Sequence, residues 1–228
     1  MSGALKFGHR GAKGHVAENT IESILKAIEF GVDGIEIDVH KCRSGELVVF
    51  HDFTVDRLTK GTGEIRNFNF EEIKKLTVSI HYQIPTLTEV LNVIDRRCLL
   101  NIELKGTNTA SETVSVIESY IEVHNWNYSD FLVSSFKNEE LLAVFEINKK
   151  IPLGVLMESD FDKAITFAKS INAAAIHPDY TMLTKENVEK VQAEGFNVNT
   201  WTVNTPEAIK RMKYYNVNAI ISDFPDRL

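Results

Sequence analysis

Cysteine is scarce in this chain of 228 residues, which contains only Cys42 and Cys98. The two thiols have no CxxC spacing, so the sequence indicates neither a disulfide framework nor a zinc site. Long apolar runs are also missing: no segment approaches the roughly 20 apolar residues of a membrane span, and the N-terminal residues lack the apolar stretch of a secretory signal. We therefore expect reduced structural thiols, no stable membrane association and a cytoplasmic location, unless an upstream segment was removed.

Positive charge is in the minority, because 25 Lys and Arg residues face 32 Asp and Glu residues and give a formal charge of −7. Phosphate backbones are bound by clustered Lys and Arg, so this balance argues against a general nucleic-acid binder. An acidic protein that handles an anionic substrate must concentrate positive charge locally. A bound metal beside Arg10 and Lys105 would do so.

Strand-like and helix-like segments alternate almost to the end of the chain, as is typical of a parallel sheet covered by helices. No internal repeat or interdomain linker interrupts them, which predicts a single domain over residues 1–228. The strand candidates are residues 5–9, 34–39, 47–51, 99–104, 131–135, 153–156, 174–177, 198–203 and 219–222.

The helices between these strands have readable starts. The first is predicted to begin at Asn19 as N-cap, with Glu22 three positions later as in a capping box. Others are predicted to begin at Thr86, Thr184 and Thr205.

The nine strand candidates are one too many for an eight-stranded barrel. The connection between 34–39 and 47–51 is too short for a parallel crossover, which needs about a dozen residues. We therefore expect these two strands to form an antiparallel hairpin, with His51 roughly opposite Asp38. The remaining eight predict an α/β fold of one (β/α)8 TIM barrel, with a small insertion near residues 52–85.

Acidic residues alternate with aliphatic ones in two of the predicted strands. The period of two places Glu36 and Asp38 on one face of the first, and Glu103 and Lys105 on one face of the second. For the first pair alone, structural salt bridges explain the charges equally well. A third acid at the same barrel end favours an all-oxygen site for one divalent cation, Mg²⁺ or Ca²⁺, rather than Zn²⁺. Lys105 could neutralise the acids, contact a substrate phosphate, or do both.

His9 and His51 each end a predicted strand beside these acids, which favours acid/base roles because imidazole titrates near neutral pH. Arg10 offers a planar fork suited to two phosphate oxygens; the alternative is a structural ion pair with Glu36 or Glu18.

Residues at two later strand ends are weaker candidates for a functional role. Trp201 could form a wall of the substrate site or pack in the core. Asp223 could orient another residue or cap a helix.

Together these residues form motifs that run in order along essentially the whole chain. The motifs are His9-Arg10-Gly11, Glu18-Asn19-Thr20, Glu36-Ile37-Asp38-Val39, Val48-Val49-Phe50-His51-Asp52 with Arg57, Ile84-Pro85-Thr86-Leu87, Asn101-Ile102-Glu103-Leu104-Lys105, Ser134-Ser135-Phe136, Trp201-Thr202-Val203-Asn204 and Ser222-Asp223-Phe224-Pro225. Through them the chain resembles the glycerophosphodiester phosphodiesterase family. One departure is Ala17, which stands where that family often has proline.

The resemblance implies a barrel enzyme that hydrolyses deacylated phospholipids, such as glycerophosphocholine, to glycerol 3-phosphate and an alcohol. By position, it implies that Glu36, Asp38 and Glu103 are metal ligands and that His9 and His51 are the acid/base pair. It also implies that Arg10 and Lys105 contact phosphate.

Two alternatives stay open at this point. One is a related phospholipase C or D type of barrel that acts on intact lipid, although residues 52–85 predict no amphipathic helix for an interface. The other is a catalytically silent phosphodiester-binding module. No sequence pattern establishes an oligomeric state.

Overall fold

The computed structural model describes residues 3–79 and 81–228. Met1, Ser2 and Ile80, which the predicted domain and insertion include, lie outside the described residues. In chain order, the described strands β1 to β11 are Leu5–His9, Gly34–Lys41, Leu47–Val49, Thr77–Val78, Tyr82–Gln83, Leu99–Leu104, Phe131–Ser135, Leu153–Met157, Ala175–Pro178, Asn197–Thr200 and Ala219–Ser222. The described α-helices α1 to α8 are Ile21–Glu29, Phe70–Ile73, Leu87–Ile94, Ala110–His124, Asn138–Ile147, Phe161–Ser170, Lys185–Ala193 and Pro206–Tyr214.

Eight parallel strands close into a barrel in the order β1, β2, β6, β7, β8, β9, β10, β11, and β11 pairs with β1 again. The predicted (β/α)8 barrel is therefore confirmed. Its main apolar core lies between the strands and the surrounding helices, and it contains Ile35, Ile37 and Val39 from β2. Their outward packing leaves the alternate positions of β2 facing the barrel interior.

The extra strand β3 lies outside the ring and runs antiparallel to β2, as predicted, but its register differs. Val49 pairs with Val39, and the Phe50 backbone N–H donates to the Asp38 carbonyl oxygen at 3.0 Å. The prediction that His51 lies opposite Asp38 was thus wrong by one residue. The turn between the two strands is tighter than predicted, because the backbone N–H of Cys42 already donates to the Glu46 carbonyl oxygen.

The first helix also begins one residue later than predicted. Thr20, and not Asn19, is the N-cap, since the Thr20 hydroxyl accepts a hydrogen bond from the Ser23 N–H. Asn19 has a left-handed backbone, with φ of 56°, and its amide is turned into the barrel.

The other predicted helix starts are confirmed. Thr86, Thr184 and Thr205 each accept a hydrogen bond at the N-terminus of their helix.

The insertion between β3 and α3 carries the short antiparallel pair β4 and β5 and the single-turn helix α2. It has a small apolar core of its own, built on Val48 and Phe50 and filled by Val55, Ile65 and Ile73 among others. Cys42 and Cys98 are both free thiols, as expected. Throughout residues 3–79 and 81–228, every helix is too short or too polar to cross a bilayer.

Candidate active site

The carboxyl ends of β2 and β6 bring three acidic side chains together inside the barrel. Glu36 and Asp38 share the inward face of β2, and Glu103 on β6 is paired in register with Asp38. One carboxylate oxygen from each residue lies within 4.8 Å of the others. All three residues are buried, and Asp38 is only 1% exposed. The acid cluster predicted from the sequence is therefore present as a geometric unit.

The negative charge of each carboxylate makes ionisation of the others less favourable. Burial, followed by the charges of Asp38 and Glu103, raises the pKa of Glu36 well above its ordinary value. Burial and the Asp38 charge likewise raise the pKa of Glu103 to about 7. A buried group of like charges is stabilised either by a proton or by a cation.

The lone pairs of the cluster fit a hard cation. Glu36 Oε1 and Asp38 Oδ1 are buried and have no hydrogen-bond partner among the residues that the structure describes. Buried acceptors normally have a partner, so these two oxygens are suited to bind a cation. Three carboxylates offer oxygen atoms only, which is the donor set that Mg²⁺ and Ca²⁺ prefer.

Arg10 contacts the cluster from the end of β1. Its backbone N–H donates to Glu36 Oε2 at 3.0 Å, and its Nη1 donates to Glu18 Oε1 at 2.7 Å. Its Nε lies 3.3 Å from Asp38 Oδ2. The ion pair with Glu18 that the sequence offered as an alternative is thus formed, and it holds the guanidinium beside the acids.

Lys105 contacts the same cluster from the end of β6. Its Nζ donates to Glu103 Oε1 at 2.9 Å and lies 3.8 Å from Asp38 Oδ1. Lys105 also lies over the ring of Phe136, with Nζ 5.6 Å from the centroid. Lys105 therefore partly neutralises the acids.

His9 is oriented by a carboxylate from the far end of the chain. Its Nδ1 donates to Asp223 Oδ1 at 2.6 Å, while its Nε2 lies 3.8 Å from Glu36 Oε2. A carboxylate only accepts, so the Nδ1 atom carries the proton and Nε2 presents its lone pair to the site. Burial lowers the pKa of His9, and the hydrogen bond to Asp223 partly offsets this effect.

His51 is held in a similar way by its neighbour in sequence. Its Nδ1 donates to Asp52 Oδ1 at 2.7 Å, and Asp52 accepts from Arg57 at 2.6 Å. The hydrogen bond from Arg57 lowers the pKa of Asp52 to about 2, so this carboxylate stays charged. Burial lowers the pKa of His51. Arg57 also donates to Glu18 at 2.8 Å and thereby links the His51 side of the site to Arg10.

A cavity of about 170 Å³ connects the two histidines with Arg10, Lys105 and the acids Glu36 and Glu103. Trp201 and Phe136 form part of its wall, and their rings meet edge to face at 5.5 Å. The indole Nε1 of Trp201 donates to the His177 carbonyl oxygen at 2.9 Å, which fixes the ring. The cavity is lined by His9, Arg10, Glu36, His51, Asn101, Glu103, Lys105, Ser134, Phe136, Leu156, Glu158, His177, Trp201, Thr202 and Ile221.

A larger cavity of about 550 Å³ opens at the opposite end of the barrel. It is lined by apolar side chains and by amides such as Asn197, Asn199 and Asn218. None of its lining residues, all from the described part of the chain, carries a titratable side chain. The smaller cavity is therefore the better candidate for chemistry.

Sequence reasoning from single residues missed several contacts. The amide of Asn19 donates to Asp38 Oδ2 at 2.9 Å, although the sequence marked Asn19 as a cap. Asp52 and Arg57 were noted only as parts of a family-like motif, and their contacts on the His51 side of the site were not predicted. His40, to which the sequence assigned no function, donates to the His51 carbonyl oxygen at 3.1 Å.

Comparisons with known proteins identify a family and relatives that match almost the whole chain. A model of the glycerophosphoryl diester phosphodiesterase family matches residues 9–227. A glycerophosphodiester phosphodiesterase of Caldanaerobacter subterraneus subsp. tengcongensis is 36% identical, over 98% of this chain and 96% of that protein. One from Bacillus altitudinis is 33% identical, over 97% of this chain and 95% of that protein.

A solved structure has a similar fold over almost the whole chain. A phosphodiesterase of Oleispira antarctica in complex with the product sn-glycerol-3-phosphate superposes with a TM-score of 0.90 at 27% identity. The match covers 99% of this chain and 95% of that one.

Proposed function

The chain belongs to the glycerophosphoryl diester phosphodiesterase family, and on that premise we propose that it is a phosphoric diester hydrolase acting on glycerophosphodiesters. The products are glycerol 3-phosphate and the alcohol of the head group. One observation carries the proposal. Glu36 and Glu103 line one cavity with two histidines, each of which is oriented by its own aspartate, and two oxygens of the acid cluster, on Glu36 and Asp38, have no hydrogen-bond partner among the described residues.

Glu36, Asp38 and Glu103 would hold one divalent cation, either Mg²⁺ or Ca²⁺. When bound, such a cation offsets the negative charge of the phosphoryl oxygens. Burial raises the pKa of Glu103 to about 7, so at neutral pH the cation competes with a proton for this carboxylate.

Arg10 and Lys105 supply fixed positive charge to the phosphate. Each already contacts a carboxylate of the cluster, so little reorganisation is needed when the diester enters. Trp201 forms an apolar wall that limits access of water to the bound diester.

His9 and His51 form the acid/base pair. One takes a proton from the nucleophile and the other gives a proton to the departing alkoxide. Asp223 and Asp52 keep the proton of each ring on Nδ1, so that each Nε2 atom is available to exchange a proton. The nucleophile is either water or the neighbouring glycerol hydroxyl, and the second route passes through a cyclic phosphate that water then opens.

Residues 1–228 are proposed to form one catalytic domain for this small-molecule substrate. The cytoplasmic location and the absence of stable membrane or nucleic-acid binding stay predictions of the sequence.

The experiment that tests the proposal measures glycerol 3-phosphate and choline released from glycerophosphocholine, with glycerophosphoethanolamine and phosphatidylcholine vesicles as further substrates. We expect equimolar products from the deacylated diesters and no cleavage of the vesicles. Turnover of the intact lipid alone would indicate a phospholipase-type enzyme. Binding of the diesters without turnover, by demonstrably folded protein, would indicate a silent module.

A further inference from the structure

Three fully or almost fully buried, neutral polar residues line the same cavity without a role in the proposed chemistry. They are Asn101 on β6, Ser134 on β7 and His177 on β9. Asn101 is 1% exposed, and Ser134 and His177 are fully buried. In register, Ser134 is the direct neighbour of Glu103, so this group adjoins the acid cluster.

Each of these residues has a polar atom without a partner. Asn101 Oδ1, Ser134 Oγ and His177 Nδ1 make no hydrogen bond to any described residue. Buried polar atoms are normally satisfied by protein or by a bound molecule. Three such atoms around one cavity therefore indicate a polar ligand.

The neighbouring strand accommodates the imidazole of His177. A Cβ atom on Gly154 would lie 2.6 Å from His177 Nε2, so only glycine leaves room for the ring there. The Asn199 amide lies 3.1 Å from the same Nε2 atom and donates to it, which keeps the His177 proton on Nδ1. Burial lowers the pKa of His177 to about 3, so the ring is neutral.

The three groups complement a hydroxyl rather than a phosphate. The Nδ1–H of His177 is a donor, Asn101 Oδ1 is an acceptor, and the Ser134 hydroxyl is both. A hydroxyl group also donates and accepts, whereas a phosphate diester only accepts and is bound best by positive charge. The charged contacts of the cavity lie instead at Arg10 and Lys105.

We propose that Asn101, Ser134 and His177 form a subsite for the hydroxyl groups of the glyceryl unit, including the terminal hydroxyl. This inference rests on the proposed function and adds the specificity for the glyceryl end of the diester. The phosphate contacts the charged residues, and the polyol end contacts the neutral ones.

The test compares kcat/KM for glycerophosphocholine with kcat/KM for propane-1,2-diol phosphocholine. The analogue keeps the hydroxyl next to the phosphate and lacks only the terminal one, so either nucleophile remains possible. We expect the unmodified enzyme to prefer the glyceryl substrate. Ser134→Ala and His177→Phe should each reduce that preference by about threefold to tenfold, the factor that one net hydrogen bond contributes.

Ser135→Ala is the matched control. Ser135 is the next residue on β7, and its hydroxyl donates to the Leu104 carbonyl oxygen instead of facing the cavity. This variant should keep the full preference. If His177→Phe does not fold, Ser134→Ala, which removes a single oxygen atom, carries the test.

The outcomes separate the two claims. If the unmodified enzyme hydrolyses neither diester, the proposed function fails and this inference fails with it. If it hydrolyses glycerophosphocholine but shows no preference, or if Ser134→Ala keeps the preference unchanged, the function stands and the hydroxyl subsite is refuted.

Discussion

His9 Nδ1 lies 2.6 Å from Asp223 Oδ1, although the two residues are 214 positions apart in the chain. Closure of the barrel makes this contact, because β1, which ends at His9, pairs with β11, which ends just before Asp223. The amide of Asn204 donates to the other oxygen of Asp223 at 2.8 Å and fixes its orientation. Two segments that are far apart in the sequence thus meet, and Asp223 orients His9, one of the two proposed acid/base residues.

Asp223→Asn is expected to lower kcat at least tenfold, a part of the roughly 10²- to 10⁴-fold that acid/base catalysis contributes. The hydrogen bond to Asp223 raises the pKa of His9 against the lowering effect of burial. Its loss should therefore move the limb of the pH–rate profile that reports His9 to lower pH. The measurement is kcat and kcat/KM between pH 5 and 9.

Asp226→Asn is the control for this change. Asp226 accepts a hydrogen bond from His15 at 2.7 Å at the surface, so it is a similar pair outside the cavity. An Asp226→Asn enzyme should keep the original rate and profile. A pH profile of Asp223→Asn that coincides with the original would remove Asp223 from its positioning role.

His9→Ala and His51→Ala should each reduce kcat by about 10²- to 10⁴-fold with the fold intact. Each change removes one of the two proposed proton-transfer groups and leaves the acid cluster in place. His124→Ala, at the exposed end of α4, is the matched control and should be fully active. Near-normal turnover by either cavity variant would exclude that histidine from the mechanism.

The side-chain amide of Asn19 donates a hydrogen bond to Asp38, and the Asn19 backbone has a left-handed conformation. Replacing the amide should weaken Mg²⁺ or Ca²⁺ binding by about tenfold to hundredfold, the usual effect of removing a group that orients a metal ligand. Asn19→Gly and Asn19→Ala both lose the amide, but only alanine strains the positive φ. Alanine should therefore cost about 1 kcal/mol more in the free energy of unfolding.

Calorimetric titration with metal and urea unfolding separate these two effects. Equal metal affinity in Asn19→Gly and the original protein would show that the amide does not support the cation site.

Glu103 makes the stability of the metal-free protein depend on pH. Its pKa is raised by burial to about 7, whereas a glutamate in an unfolded chain titrates near ~4.3. Between these values the folded state holds a proton that the unfolded state has released, so stability falls as pH rises through this window. Metal binding needs the deprotonated carboxylate, so stabilisation by Mg²⁺ or Ca²⁺ should increase over the same range.

Thermal unfolding at pH 5 to 8, with and without metal, measures this prediction. Glu103→Gln should reduce the change of Tm with pH in the metal-free protein. A shift in Tm on metal addition that is the same at pH 5 and pH 8 would contradict the assignment.

The barrel was predictable from the sequence because its strands and helices alternate with clear periods, and because Glu36, Asp38 and Glu103 occupy inward positions of strands. The register of β3 was not, since it depends on where the Cys42–Glu46 turn closes. Nor was the role of Asn19, because a left-handed residue before a helix resembles an N-cap in sequence. The contact of His9 with Asp223 depends on barrel closure, which no local pattern specifies.

The central claim is that the acid cluster and the paired histidines hydrolyse a glycerophosphodiester with the help of one divalent cation. The most direct test is glycerol 3-phosphate release from glycerophosphocholine by EDTA-treated enzyme, followed by addition of Mg²⁺ or Ca²⁺, for the original chain and for Glu36→Gln. We predict that chelation abolishes turnover, that one of the two ions restores it, and that Glu36→Gln is not restored at the same metal concentration. Full turnover in the presence of the chelator would contradict this account.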